Sequence, residues 1–138
     1  FELIKKYNLS DEIIVIKNPP RDDVISAYGE SEFLILPSRW ELSPLVPLES
    51  FAFKRPVIST NSHGIPFTVQ NNKNGLLVKP EDPKELSDAI LQLLDDSHLR
   101  DKLGLEGYNF VQTECNCVSM AENHFELYRS LVKNTQNK

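Results

Sequence analysis

With 138 residues, 40% of them hydrophobic, the chain can bury one core and fits a single domain. Its formal net charge of −5 at pH 7 argues against a nucleic-acid partner, because such binding needs a cationic surface to neutralise phosphates. No apolar stretch approaches the roughly twenty residues that cross a bilayer, so no transmembrane segment is expected.

The first predicted element is a helix over residues 1–8. It begins already in register at Phe1, so an upstream strand and most of a helix are expected to precede it. A strand follows at 13–16 and a helix at 22–28. Phe33-Leu34-Ile35-Leu36, stopped by Pro37, reads as a strand buried on both faces of a parallel sheet. Ser43 as N-cap with Pro44 in the first turn predicts a helix over 43–53, with Leu45, Leu48 and Ala52 as its apolar stripe. Strands are expected at 57–60 and 75–78, the second preceded by the reverse-turn run Asn71-Asn72-Lys73-Asn74-Gly75. Asp82-Pro83 then opens a helix over 83–95 that buries Leu86, Ile90, Leu93 and Leu94. Helices over 99–110 and 118–132 complete the chain, the last amphipathic with Phe125, Tyr128 and Leu131 on one face. Strands alternating with helices mean an α/β fold, a Rossmann-like parallel sheet flanked by helices.

The stretch bracketed by Glu41 and Glu49 carries the most chemistry. A helix that opens at the carboxyl edge of a parallel strand turns unpaired N–H groups and its positive dipole end toward the crevice where α/β folds bind ligands. A phosphate fits there. The two carboxylates would flank it and accept hydrogen bonds from hydroxyl groups, since only donors make further negative charge tolerable beside a diphosphate. Against this stands the plainer reading that acidic residues near a helix start serve the dipole alone.

The wider string resembles the nucleotide-sugar-binding, C-terminal half of a GT-B glycosyltransferase, closest to glycosyltransferase family 4. Pro37-Ser38-Arg39-Trp40-Glu41 with Leu48-Glu49-Ser50-Phe51-Ala52 is similar to that family's P-S-x-x-E-G-F-G-L-V-x-L-E-A-M-A segment. Pro56-Val57-Ile58-Ser59-Thr60, Gly64-Ile65-Pro66, Asn74-Gly75-Leu76-Leu77-Val78 and Asp82-Pro83 with Leu86 continue the likeness in order. The resemblance implies that Glu41 hydrogen-bonds the donor sugar and that Glu49 binds the ribose hydroxyls. It implies that the segment Ser43, Pro44, Leu45 and Val46 holds the diphosphate, through the N–H groups of Leu45 and Val46, and that Lys17-Asn18-Pro19 lies against the base. It further implies a retaining transferase whose donor is a nucleoside diphosphate sugar, with no metal site and no cofactor. On this likeness residues 1–138 are the donor-binding domain, shortened at its N-terminus. An acceptor domain that meets a sugar, lipid or polysaccharide is missing, which would leave the fragment inactive alone.

Departures from the family pattern fall on the site itself. Leu42, Ser43 and Pro44 replace G-F-G, and Pro44 cannot donate an N–H. His63 stands where the pattern has its first glycine, beside Gly64, and is the histidine expected to meet a ligand; His98 and His124 read as solvated. Phe67 stands where the pattern has glutamate, and Trp40 is expected to pack beneath its loop in preference to lining the sugar pocket. Phe33, Phe51 and Phe53 read as core. Cys115 and Cys117 are too few for a structural zinc site and too close for an unstrained bridge, which points to reduced thiols and a cytoplasmic protein, with peripheral attachment at the inner membrane face left open. The competing function is a non-catalytic, Rossmann-like module that binds a nucleotide or a partner. A dehydrogenase is disfavoured because no G-x-G-x-x-G follows any predicted strand.

Overall fold

The computed structural model describes residues 2–136. In chain order the elements are α1 (Glu2–Lys6), α2 (Arg21–Glu30), β1 (Leu34–Leu36), α3 (Val46–Ala52), β2 (Val57–Thr60), α4 (Ile65–Thr68), β3 (Gly75–Val78), α5 (Pro83–Asp95), α6 (Ser97–Glu114) and α7 (Cys117–Gln136). Phe1, expected to open the first helix, lies outside the described residues.

The three strands pair in parallel in the order β1-β2-β3, with Ile35 opposite Ile58 and Ile58 opposite Leu76. Parallel neighbours cannot be joined by a tight turn, so α3 carries the chain from β1 to β2 and α4 from β2 to β3. Alternate residues of each strand feed opposite layers. Ile58, Leu76 and Val78 meet Ala89 and Leu93 of α5 and Leu103 of α6 on one face. Val57 meets Phe51, Ile65 and Val69 on the other, with Leu34, Leu48 and Leu77 packed beside them. Helix α6 lies so close to α3 that a Cβ added at Gly107 would sit 2.4 Å from Phe51 Cδ1, and one at Gly104 2.0 Å from the Lys54 carbonyl oxygen. Small residues at this crossing let the two helices approach.

Several sequence expectations fail, each for a local reason. Residues 13–16 form no strand. Ile14 is 86% exposed and Ile16 65%, because no described strand lies beside them to satisfy their backbone groups. For the same reason β1 is an edge strand among the described residues, and Ile35 is exposed on one side rather than buried on both. Helix α3 starts at Val46 with Leu45 as its N-cap, so Ser43 is not the cap. Pro47, not Pro44, occupies the first turn, where a missing N–H is tolerated. That shift turns the helix. Pro47, Ser50 and Phe51 are buried while Leu45 and Ala52 are exposed, and Glu49 falls in the first turn. In α5 the buried stripe includes Ala89 and leaves Leu94 exposed, and Phe53 is likewise part-exposed. The four-residue α4, Ile65–Thr68, is an element that the sequence pattern does not predict.

Candidate functional site

The carboxyl edge of the sheet is held by a run of hydroxyl side chains. Ser59 Oγ donates to the Leu36 carbonyl at 2.7 Å, Thr60 Oγ1 donates to the Ser38 carbonyl, and Ser62 Oγ donates to the Arg39 carbonyl at 2.8 Å. The Gly64 N–H then donates to the Glu41 carbonyl at 2.9 Å. Parallel strands β1 and β2 therefore continue past their ends as a zipper, in which the segment 59–64 supplies donors and the segment 36–41 supplies acceptors. Ser59, Thr60 and Ser62 are all buried, so each bond satisfies a group that would otherwise cost free energy. The sequence reading took Ser59 and Thr60 only as the end of a strand. The signal was a hydroxyl-rich stretch directly after a buried apolar pair, Ser59-Thr60-Asn61-Ser62.

This zipper sets the position of Glu41. Its side chain is half-buried, and Oε1 accepts from Ser38 Oγ at 3.0 Å. His63 lies across from it on the facing loop with φ 47°, a left-handed backbone that a glycine adopts more easily, which explains the glycine of the resembled pattern. Two contacts hold the histidine there: Ser62 Oγ lies 2.7 Å from Nδ1, and the Trp40 ring meets the imidazole at 5.9 Å between centroids. Trp40 is 62% exposed, so it does not pack beneath its loop as expected; it stands next to Glu41 in the chain, against His63. Phe67 is 84% exposed. Gly64 is buried under the Glu41–Leu42 backbone.

Glu49 is built differently. Arg21 Nη2 donates to Oε1 at 2.7 Å and Tyr28 Oη donates to Oε2 at 3.0 Å, so α2 supplies a donor to each carboxylate oxygen. The Arg21 hydrogen bond, helped by that of Tyr28 and by the Arg21 charge, holds the Glu49 carboxyl below the usual carboxylate range against the opposing effect of burial. Burial first, and the bond to Glu49 second, push the Tyr28 hydroxyl up to about 12, so it remains a donor at any physiological pH. Neither partner was anticipated from the sequence, since twenty or more residues separate them from Glu49. Replacing Arg21 with methionine is expected to raise the Glu49 titration midpoint toward the ordinary carboxylate value, read by carbon NMR of the side-chain carboxyl. The sign follows from linkage. A carboxyl whose folded value is depressed lends stability above its unfolded value and loses it as pH falls through the folded one, so the variant's loss on acidification shrinks.

The structure brings Glu41, Trp40, His63 and Gly64 together and joins Glu49 to α2; the side chains of Glu41 and Glu49 have separate partners, on either side of the 42–48 segment. Within that segment Ser43 is exposed, Pro44 is buried, and Leu45 and Val46 present exposed side chains at the start of α3. The first N–H groups of a helix have no intrahelical acceptor. Lys17, Asn18 and Pro19 form an exposed loop that reaches α2 through Pro20, one residue before Arg21. A cavity of about 320 Å³ also opens at this sheet edge, between Pro37, Arg39, Thr60, Lys79, Asp82 and Leu86. Neither Glu41 nor Glu49 lines it, although Arg39 and Thr60 belong to the zipper that positions Glu41. Among the described residues no cluster of His, Cys, Asp and Glu is placed to hold a metal ion.

The chain is similar in sequence and fold to known proteins. A glycosyltransferase of Methanocaldococcus jannaschii is 36% identical over 107 residues, covering 78% of this chain and 30% of that protein. Sucrose-phosphate synthase of Thermosynechococcus elongatus superposes with a TM-score of 0.84 at 32% identity, covering 96% of this chain and 33% of that one. The Anabaena protein HepE, solved in complex with UDP-glucose, shares the fold at a TM-score of 0.83 and 17% identity, with 94% of this chain and 35% of that one aligned. The chain thus spans about a third of the length of these proteins, and its three-stranded sheet with flanking helices is a portion of the GT-B glycosyltransferase fold. Residues 1–110 match the model of glycosyl transferases group 1, and the chain belongs to that family.

Proposed function

We propose that the chain is the donor-binding domain of a retaining glycosyltransferase of family 4, moving a hexose from a nucleoside diphosphate sugar to the hydroxyl of a sugar, lipid or polysaccharide held by a separate acceptor domain. The observation that carries this reading is the pair of carboxylates, each oriented by its own donors, on either side of the segment that opens α3. HepE, of the same fold, holds UDP-glucose, a ligand with the hydroxyl–diphosphate–hydroxyl layout that such a site suits. In the proposed reaction the bond from the anomeric carbon to the diphosphate oxygen breaks and its electron pair leaves with the diphosphate. The N–H groups of Leu45 and Val46 meet the growing negative charge. Pro44 and Pro47 donate nothing, so these two amides and that of Leu48 make up the nearby main-chain cradle. The acceptor oxygen bonds to the anomeric carbon and passes its proton to an oxygen of the departing diphosphate. Glu41 accepts from a sugar hydroxyl and fixes the ring for that attack, while Glu49 accepts from the ribose.

Calorimetry of the full-length protein against UDP-, GDP- and ADP-glucose tests the donor class. One of the three is expected to bind, and Glu49→Ala to weaken it about tenfold through loss of a charged hydrogen-bond acceptor. Binding of none of them, or equal binding by Glu49→Ala, overturns the assignment. Retention is checked separately by the anomeric NMR signal of the first product formed.

A further inference from the structure

We infer that Tyr28 and Arg21 are positioning residues for Glu49, fixing its carboxylate as a ready-made acceptor for a vicinal pair of hydroxyls such as the ribose diol of a nucleoside diphosphate. This rests on the donor-site reading above and adds the residues that make the ribose subsite selective. A carboxylate has roughly four lone-pair positions, two on each oxygen. Arg21 Nη2 uses one on Oε1 and Tyr28 Oη uses one on Oε2, so each oxygen retains a position for one further donor. Two adjacent hydroxyls match that remainder; a phosphate or a second carboxylate does not.

The support behind these donors is more than a surface ion pair needs. Tyr28 is buried, with its ring stacked on Phe53 at 6.0 Å and 20° between planes. Its main chain is clamped by Arg55, whose Nε donates to the Tyr28 carbonyl at 3.3 Å and whose Nη2 donates to the Gly29 carbonyl. The Arg55 carbonyl in turn accepts from the fully buried Ser50 Oγ at 3.1 Å, one residue from Glu49 itself. The end of α2 and the C-terminal half of α3 are thereby tied to each other through Arg55, beside the carboxylate. Arg21, whose side chain is 60% exposed, adds little stability from such a position, whereas it fixes the direction of Oε1.

The test pairs the removal of ligand hydroxyls with the removal of protein donors. Calorimetry on the full-length protein uses UDP, GDP and ADP alongside their 2′,3′-dideoxy counterparts. For the nucleotide that binds, the wild type is expected to favour the ribose form about tenfold or more. Glu49→Gln is expected to collapse that ratio toward one. Tyr28→Phe keeps the stacked ring and is expected to lower the ratio about threefold or more, leaving affinity for the dideoxy form within about twofold. Arg21→Met should act in the same direction and Arg21→Lys should restore part of the loss; this exposed position also serves if Tyr28→Phe does not fold. A ratio that collapses in Glu49→Gln but stays at the wild-type value in Tyr28→Phe and Arg21→Met overturns the positioning role and leaves the donor site standing. A wild type indifferent to the hydroxyls, or a Glu49→Gln variant that keeps the full ratio, removes the ribose subsite and this inference with it.

Discussion

Glu41→Ala is expected to lower turnover of the full-length enzyme about a hundredfold while leaving donor affinity within a few-fold of the wild type. The split between the two follows from where Glu41 stands. Its main-chain carbonyl accepts from the Gly64 N–H, and the carbonyls of Leu36, Ser38 and Arg39 before it are pinned by Ser59, Thr60 and Ser62. None of those bonds uses the Glu41 side chain. Alanine therefore removes the carboxylate and its bond from Ser38 Oγ without releasing the loop, at a stability cost of about 1 kcal/mol for one part-buried hydrogen bond. What is lost is the group proposed to hold the sugar hydroxyl, and misplacing a reacting centre by about an ångström is enough to cost two orders of magnitude. Initial rates with the native donor, together with a denaturation midpoint, read both quantities. A turnover unchanged from the wild type removes Glu41 from the site. A large rise in Kd instead would place its contact with the ground state.

The parts of this fold that the sequence reveals are those set by local chemistry. Val57–Thr60 and Gly75–Val78 were legible because β-branched and apolar runs between turn residues leave few alternatives, and Asp82-Pro83 announced α5 because a capping carboxylate followed by proline suits only a helix start. In the structure Asp82 Oδ1 indeed accepts from the Glu85 N–H. The start of α3 was misjudged because Ser43-Pro44 carries the local start signal, a capping hydroxyl before proline, whereas the helix opens at Val46 behind Leu45 with no side-chain cap, in the register that buries Pro47 and Phe51. The strand expected at 13–16 failed for a non-local reason, since a strand exists only where a neighbour accepts its hydrogen bonds. Of the site, Glu41 and Glu49 were visible as a spaced pair, while Arg21 and Tyr28 were not, because their relation to Glu49 depends on how α2 packs across α3. Ser62 escaped because its bond to the Arg39 carbonyl depends on the pairing of β1 with β2.

Gly64→Ala is the second substitution with a large expected effect, and it tests whether the two loops act as one unit. Gly64 has φ −82° and ψ −10°, a conformation alanine accepts freely, so no backbone strain enters. Space does. An added Cβ would lie 1.7 Å from the Leu42 carbonyl oxygen, 2.5 Å from the Leu42 carbonyl carbon and 3.1 Å from the Glu41 oxygen, all of them main-chain atoms that cannot rotate away. The Glu41–Leu42 segment has to withdraw, breaking the Gly64 N–H bond to the Glu41 carbonyl and carrying the carboxylate with it. Stability is expected to fall by about 2 kcal/mol, the range for overpacking a buried position, and turnover by about a hundredfold, as for Glu41→Ala. The decisive measurement is the double variant. If the methyl acts by displacing Glu41, then Glu41→Ala on top of Gly64→Ala removes a group already out of place, and turnover falls no further than in either single variant. Losses that multiply to about ten-thousandfold would show that Gly64 and Glu41 serve the reaction independently, and that the contact between the loops does not set the carboxylate's position.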